Sequence, residues 1–242
     1  MKKLFYSELI KLRTKTNIAF GSVGICLYLL TIVLQTNKID FNDLQYTNSI
    51  RIDDLSISVI EFVYTIFIIV FFTKDFSQKT IYRTLFEGKS RVNIFYSSIL
   101  FIVLLSFVIT IFSRVSISIY FMFKGANIQY IYNSFFQINQ ILLVFISLYL
   151  HSLIALLLSV STKKSQWALI IFFSWILFSG LINIVLLKNG IDLPNSPIKK
   201  LFLYIGFIKS YFLQIIVLFL EQTVFLYFIK RSYLKLSWLK KR

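Results

Sequence analysis

Long apolar blocks alternate along this chain with short connections that are polar and mostly basic. Six blocks, residues 18–34, 55–72, 94–112, 141–160, 167–187 and 211–229, run 17 to 21 residues each, the length at which an α-helix crosses a hydrocarbon core of ~30 Å. Runs such as 99–111, broken only by Ser106 and Thr110, lack the two-residue alternation of a transmembrane strand. The pattern predicts an all-α, polytopic membrane protein with six transmembrane helices, forming a single transmembrane domain over residues 1–242.

The connections carry structure of their own. Residues 1–16 place Phe5, Leu9 and Leu12 on one helical face with Lys and Glu opposite, which predicts an interfacial amphipathic helix on the inner side of the membrane. Within residues 73–93, Ser77 is placed to cap a short cytoplasmic helix that Gly88 ends. On that helix Ile81, Leu85 and Phe86 form an apolar ridge expected to dock into a partner. Residues 113–139 stay apolar past Arg114 through 116–123; a longer third span, a tilted one and an outer interfacial helix all fit. Pro194 and Pro197 break the helix of the fifth block, and residues 198–207 then resume an apolar pattern interrupted by Lys199 and Lys200. A short interfacial or re-entrant helix is expected there.

Composition sharpens this picture. Of 242 residues 57% are hydrophobic and 15% charged, against roughly 25% charged in soluble domains, so a soluble fold has too little polar surface to cover itself. The net charge of +16 is unevenly placed: with both termini on one side, 18 of the 26 Lys and Arg fall in residues 1–17, 73–93, 161–166 and 230–242. The positive-inside bias makes that side the cytoplasm, and Asp40, Asp43, Asp53, Asp54 and Asp192 then lie outside. The basic residues flank spans and form no stripe with interleaved aromatics, which favours anionic lipid headgroups and excludes nucleic acid as a partner. Trp167, Trp238 and Tyr204 fall at expected interfaces. Cys26 is the single cysteine, so no internal disulfide is expected. No small-residue cleavage site follows Leu34, and the first span reads as retained.

Enzyme signatures are missing. The chain has no GxxxxGK[ST] phosphate loop, no HExxH and no GxSxG, which predicts neither catalytic residues nor a metal or cofactor site of its own. Two acids lie within the blocks. A carboxylate at a span centre costs ~2.5 to 3.5 kcal/mol on insertion scales, so Glu61 and Glu221 are expected to face an interior, a cavity or a basic partner. Glu61 sits toward its block's outer end, within reach of the headgroups. Glu221 is nearly central and is the stronger translocation-path candidate, the alternative being a structural hydrogen bond with Gln222 nearby. His151, the only histidine, reads as a helix–helix hydrogen bond or as a proton site. Arg114 is expected to point into outer headgroups, the alternative being an ion pair with Glu61 or Glu221.

Three features in order resemble the permease subunits of ATP-binding-cassette exporters of the ABC-2 class: the basic amphipathic residues 7–13, the loop 75–91 with Asp75, Thr80, Ser90 and Arg91, and residues 156–160 followed by Lys163 and Lys164. The loop departs from the family in having Lys79 where Gly is common, and span three has Tyr96, Ser97 and Ser98 where Lys is frequent. The resemblance implies two permease copies, identical or related, driven by cytoplasmic ABC ATPase subunits that bind ATP and Mg. Thr80, Ile81, Arg83, Leu85, Phe86 and Arg91 would then contact the ATPase as a coupling helix, while Glu221, Glu61 and His151 are candidates for the translocation path. It also implies export of a hydrophobic or amphipathic peptide, of the bacteriocin or lantibiotic immunity or export type, across a bacterial cytoplasmic membrane. The alternative is a non-transporting assembly or structural protein that binds a partner through its basic loops.

Overall fold

A computed structural model describes residues 2–36, 46–123, 138–188 and 211–235. The outer connection with Asp40 and Asp43, the segment with Asp192, Pro194, Pro197 and Tyr204, and the tail with Trp238 lie outside the described residues. Among those described, every regular element is an α-helix: α1 (Lys2–Lys11), α2 (Lys15–Thr36), α3 (Tyr46–Ser77), α4 (Thr80–Phe86), α5 (Arg91–Phe123), α6 (Ile138–Thr162), α7 (Ser165–Lys188) and α8 (Tyr211–Leu234).

Six of these helices, with 22 to 33 residues each, contain the six apolar blocks. Two are long and apolar enough to cross a membrane, over Arg91–Phe123 and Val144–Thr162. The third block extends further than drawn, since α5 runs unbroken past Arg114 to Phe123. At ~1.5 Å per residue, Arg91 and Arg114 stand ~35 Å apart along its axis, a little more than one hydrocarbon thickness.

Helix α6 is the hub, packed by α3, α5, α7 and α8, with α2 laid along α3 and α1 against α5. Its centre is aromatic and aliphatic: Phe71 stacks on Phe101 with ring centroids 5.0 Å apart, beside Phe72, Leu148 and Leu153. A second, smaller core joins α2, α3 and α5 through Tyr28, Ile32, Ile60, Ile117 and Phe121. There the Tyr28 hydroxyl donates to the Ser113 carbonyl at 3.0 Å. Gly24 lets α2 approach closely, because a Cβ at that position would lie 2.5 Å from Val63 Cγ1.

Polarity is arranged from outside in. Large apolar side chains face outward on α2 (Leu27, Leu30), α5 (Leu104, Phe107) and α7 (Trp175, Leu177), whereas Glu61, Thr65, Ser106, Thr110, Ser147, His151 and Ser159 are buried. Most buried hydroxyls are satisfied by their own helix, as Thr110 is by the Ser106 carbonyl and Ser159 by that of Ala155, so they occupy the interior without leaving donors unpaired.

The two short turns at one end of the bundle use the same device. Lys79 between α3 and α4 has φ 57° and Lys163 between α6 and α7 has φ 58°, the left-handed region that non-glycine residues rarely occupy. Gly88, at φ 80°, closes α4 by donating its N–H to the Leu85 carbonyl.

Candidate functional site

The expected coupling segment exists as a helix, but two details differ from the sequence reading. Ser77 does not cap it: α3 continues through Ser77, whose hydroxyl bonds the Lys74 carbonyl, and the N-cap residue is Lys79, with no side-chain cap. Nor does the apolar ridge stand free. Ile81 and Leu85 are buried in the main core, while Phe86 is 79% exposed. The reason is angular: successive residues on a helix diverge by ~100°, so Leu85 can face the bundle only if Phe86 turns away. Arg83 projects outward and lies 3.7 Å from Glu87, and Thr80 begins the helix half-buried. Arg91 is directed elsewhere, donating from Nη1 to the Leu234 carbonyl at 3.0 Å. A guanidinium there satisfies a terminal carbonyl of α8 and suits the negative end of its dipole.

Helix α1 corrects a second expectation. Phe5, Leu9 and Leu12 share a face as expected, but that face packs against the protein core rather than lying in the interface, and the charges are not opposite it. Glu8 is buried while Tyr6 and Ile10 are exposed, because positions 5, 8, 9 and 12 share one helical face. Lys11 Nζ sits 2.9 Å from Glu8 Oε1 and 2.7 Å from Asp75 Oδ2, tying α1 to the last turn of α3. Burial pushes the Glu8 carboxyl up to about 6, with Lys11 pulling it down and Asp75 pushing it further up. Burial raises Asp75 as well, against the pull of Lys11. Burial alone would lower the Lys11 ammonium, but the two acids outweigh it and hold it above the ordinary lysine value. One ammonium thus serves two carboxylates, and Glu8 Oε2 is buried without a hydrogen-bond partner among the described residues.

In the interior, Glu61 is 3% exposed and does not reach toward headgroups. The Ser147 hydroxyl of α6 donates to Glu61 Oε1. One turn further along α6, His151 Nδ1 donates to the Ser147 carbonyl at 2.8 Å and lies 3.5 Å from the Ser147 hydroxyl. The acceptor at 2.8 Å is a carbonyl, so Nδ1 carries a proton and Nε2 is the remaining acceptor. His151 therefore bonds its own helix, and Ser147, which the sequence reading does not single out, makes the bridge between helices. A serine four residues before a buried histidine is the available signal. One turn along α3, the Tyr64 hydroxyl meets that of Ser106 on α5 at 3.0 Å. The same stretch of α3 thus carries polar crossings to two neighbouring helices.

The structure does not bring Glu221 into this cluster. Glu221 is half-buried on α8, with Oε2 enclosed and without a hydrogen-bond partner among the described residues, and Gln222 is buried beside it. Arg114 is 4% exposed, contrary to the expectation that it points into headgroups, and α5 continues past it to Phe123. No group of three or more His, Cys, Asp or Glu able to hold a metal occurs among the described residues.

No protein-family model, curated protein or solved structure matches this chain.

Proposed function

We propose that the chain is the membrane-embedded permease subunit of an ATP-binding-cassette exporter of the ABC-2 class. It would span a bacterial cytoplasmic membrane six times with both termini inside, and pair with a second identical or related permease. The inverted polarity supports the membrane reading: a helix face lined with Leu, Phe and Trp is at home in lipid, and a soluble protein rarely exposes apolar patches of such extent.

One observation carries the transport reading beyond the sequence resemblance, namely the mounting of α4. A seven-residue helix is too short to hold itself together in water, yet α4 is fixed through Ile81 and Leu85 to the packed core and joined by tight turns to the two longest helices. Its outer face presents Phe86 and Arg83. A cytoplasmic ATPase that gripped this face, with ATP and Mg in its own site, would move α3 and α5 together. The substrate best suited to an exporter with an apolar exterior and few interior charges is an amphipathic peptide, taken from the membrane or the cytoplasm.

Purification of the tagged chain from its native membranes tests the reading. A nucleotide-hydrolysing subunit should accompany it and be lost from a Phe86→Ala, Arg83→Glu variant that still assembles. Recovery of a partner without nucleotide hydrolysis would favour the alternative of a non-transporting assembly protein.

A further inference from the structure

The contact between α3 and α6 holds a carboxyl, a hydroxyl and an imidazole in sequence, closed off from the surface. Glu61 and His151 are 3% and 5% exposed and Ser147 is 1% exposed. The direction of the hydrogen bonds is set by chemistry. His151 Nδ1–H can only donate to the Ser147 carbonyl, and the Ser147 hydroxyl donates to Glu61 Oε1. The two bonds use different groups of Ser147, the backbone carbonyl accepting from His151 and the hydroxyl donating to Glu61, so Ser147 touches both side chains and holds them on one contact. His151 Nε2 has no hydrogen bond among the described residues, leaving one lone pair at the other end.

We propose that Glu61 and His151 form an intramembrane proton-binding pair that shares one exchangeable proton, with Ser147 holding the two side chains on neighbouring helices. With that proton on Glu61 the pair is a neutral acid beside a neutral imidazole. With it on His151 Nε2 the pair is a carboxylate facing an imidazolium. Both arrangements hold the same proton and have zero net charge. Release to water leaves a carboxylate and a neutral imidazole, and that net charge in so enclosed a place is what the interior of a membrane protein penalises most, so the pair retains its proton. The ligand is the hydrogen ion, exchanged with water: uptake forms an O–H or N–H bond at the expense of a hydronium O–H bond, and release reverses it.

The surroundings assign the proton to this pair. Among the described residues, no other ionisable side chain shares a hydrogen bond with Glu61, Ser147 or His151. On α2, the Tyr28 hydroxyl is committed to the Ser113 carbonyl and Cys26 faces outward. On α5, Ser106 is engaged by Tyr64, and Arg114 is buried with no hydrogen bond to Glu61 or His151 among the described residues. On α7, Phe172 and Phe173 pack against Phe62 and bring no charge, and α8, which also packs on α6, brings Glu221, half-buried with Oε2 unpartnered among the described residues. This proposal does not depend on the exporter reading, and its test reads protonation without an ATPase or a transported substrate.

The test is infrared difference spectroscopy of the full chain in lipid nanodiscs across a pH titration, comparing wild type with Glu61→Gln and His151→Gln. The Glu61→Gln side chain keeps an acceptor for Ser147, so the bundle should assemble. Wild type should show a carbonyl band of a protonated acid that exchanges for carboxylate bands together with an imidazole change. Glu61→Gln should remove the component due to the buried acid while leaving the titration of Glu8 and the other acids in place, and His151→Gln should remove the imidazole change and move the midpoint of the Glu61 component by at least about one pH unit, a tenfold change in proton affinity. A difference between the wild-type and Glu61→Gln titrations that contains no carboxyl component, or a Glu61 midpoint unmoved by His151→Gln, overturns the proposal. If the Glu61→Gln protein fails to assemble, Glu61→Asp decides the point. Its carboxyl is one methylene shorter, so the carboxyl change must persist with a shifted band and midpoint, and an unshifted one overturns the proposal.

Discussion

Lys11 Nζ on the amino-terminal helix lies 2.7 Å from Asp75 Oδ2 in the last turn of α3, 64 residues later in the chain. The contact anchors α1 to the bundle just before the turn into α4, and the same ammonium also neutralises Glu8.

Removing that ammonium leaves two largely buried carboxylates without their partner. Breaking a buried ion pair from one side costs ~3 to 5 kcal/mol, since the charge left behind is uncompensated. Lys11→Met should therefore release α1 from the bundle, whereas Asp75→Asn, which leaves Lys11 paired with Glu8, should cost less. Hydrogen exchange of the α1 amides measures both, and equal protection in wild type and Lys11→Met would count against the anchor.

The same cluster fixes a pH dependence. Glu8 titrates at about 6 in the fold, above its ordinary value near 4.3, so the folded state binds its proton more tightly than the unfolded state does. The sign follows from linkage: stability falls as pH rises through the window from about 4.5 to 6 and stays flat above it as far as Glu8 is concerned. Glu8→Gln should leave docking of α1 unchanged near pH 4 and strengthen it above pH 6, by up to about 2 kcal/mol. A Glu8→Gln protein whose α1 protection matches wild type at pH 7.5 would contradict this.

Gly24 and Gly21 make a contrasting pair on α2. A methyl at position 24 meets Val63 Cγ1 at 2.5 Å, while one at 21 meets nothing within 4 Å. Overpacking costs ~1 to 3 kcal/mol, and an exposed Gly→Ala change inside a helix gains ~0.5 to 1 kcal/mol. Thermal unfolding in detergent should thus rank Gly21→Ala above wild type and Gly24→Ala below it, with Val63→Ala rescuing Gly24→Ala. Failure of that rescue would mean the close approach is not what matters at position 24.

Lys79 and Lys163 hold left-handed backbone at φ 57° and 58°, where a side chain costs ~1 to 2 kcal/mol that glycine avoids. Lys79→Gly should raise stability by about 1 kcal/mol. It also restores the residue common in the family that the loop resembles. A lower melting temperature in Lys79→Gly would show that the lysine side chain contributes more than its backbone costs.

Much of the architecture is legible in hydropathy alone, because an apolar block of about 20 residues has few stable options other than a helix. The six long helices and the short α4 follow from such runs and from Gly88. Facing is harder to read. Sequence proximity groups Phe86 with Ile81 and Leu85, and charge sets Glu8 opposite Phe5 and Leu9, yet the structure separates the first group and joins the second. Which side a residue faces depends on neighbours contributed by distant segments, as Asp75 does for Lys11. The interior cluster is half visible: Glu61 and His151 stand out as ionisable groups in apolar blocks, but their meeting depends on the register of α3 against α6, which no local pattern encodes. Ser147 carries no signal by itself.

That this chain works as an ATPase-driven permease is tested most directly by peptide movement. Inverted membrane vesicles containing the chain and its co-purified ATPase would be supplied with a fluorescent amphipathic peptide, with and without ATP. The account predicts ATP-dependent uptake that is lost in Phe86→Ala, with the mutant chain still inserted and α4 still packed through Ile81 and Leu85. ATP hydrolysis unaffected by the chain, together with no ATP-dependent movement of peptide, would contradict it.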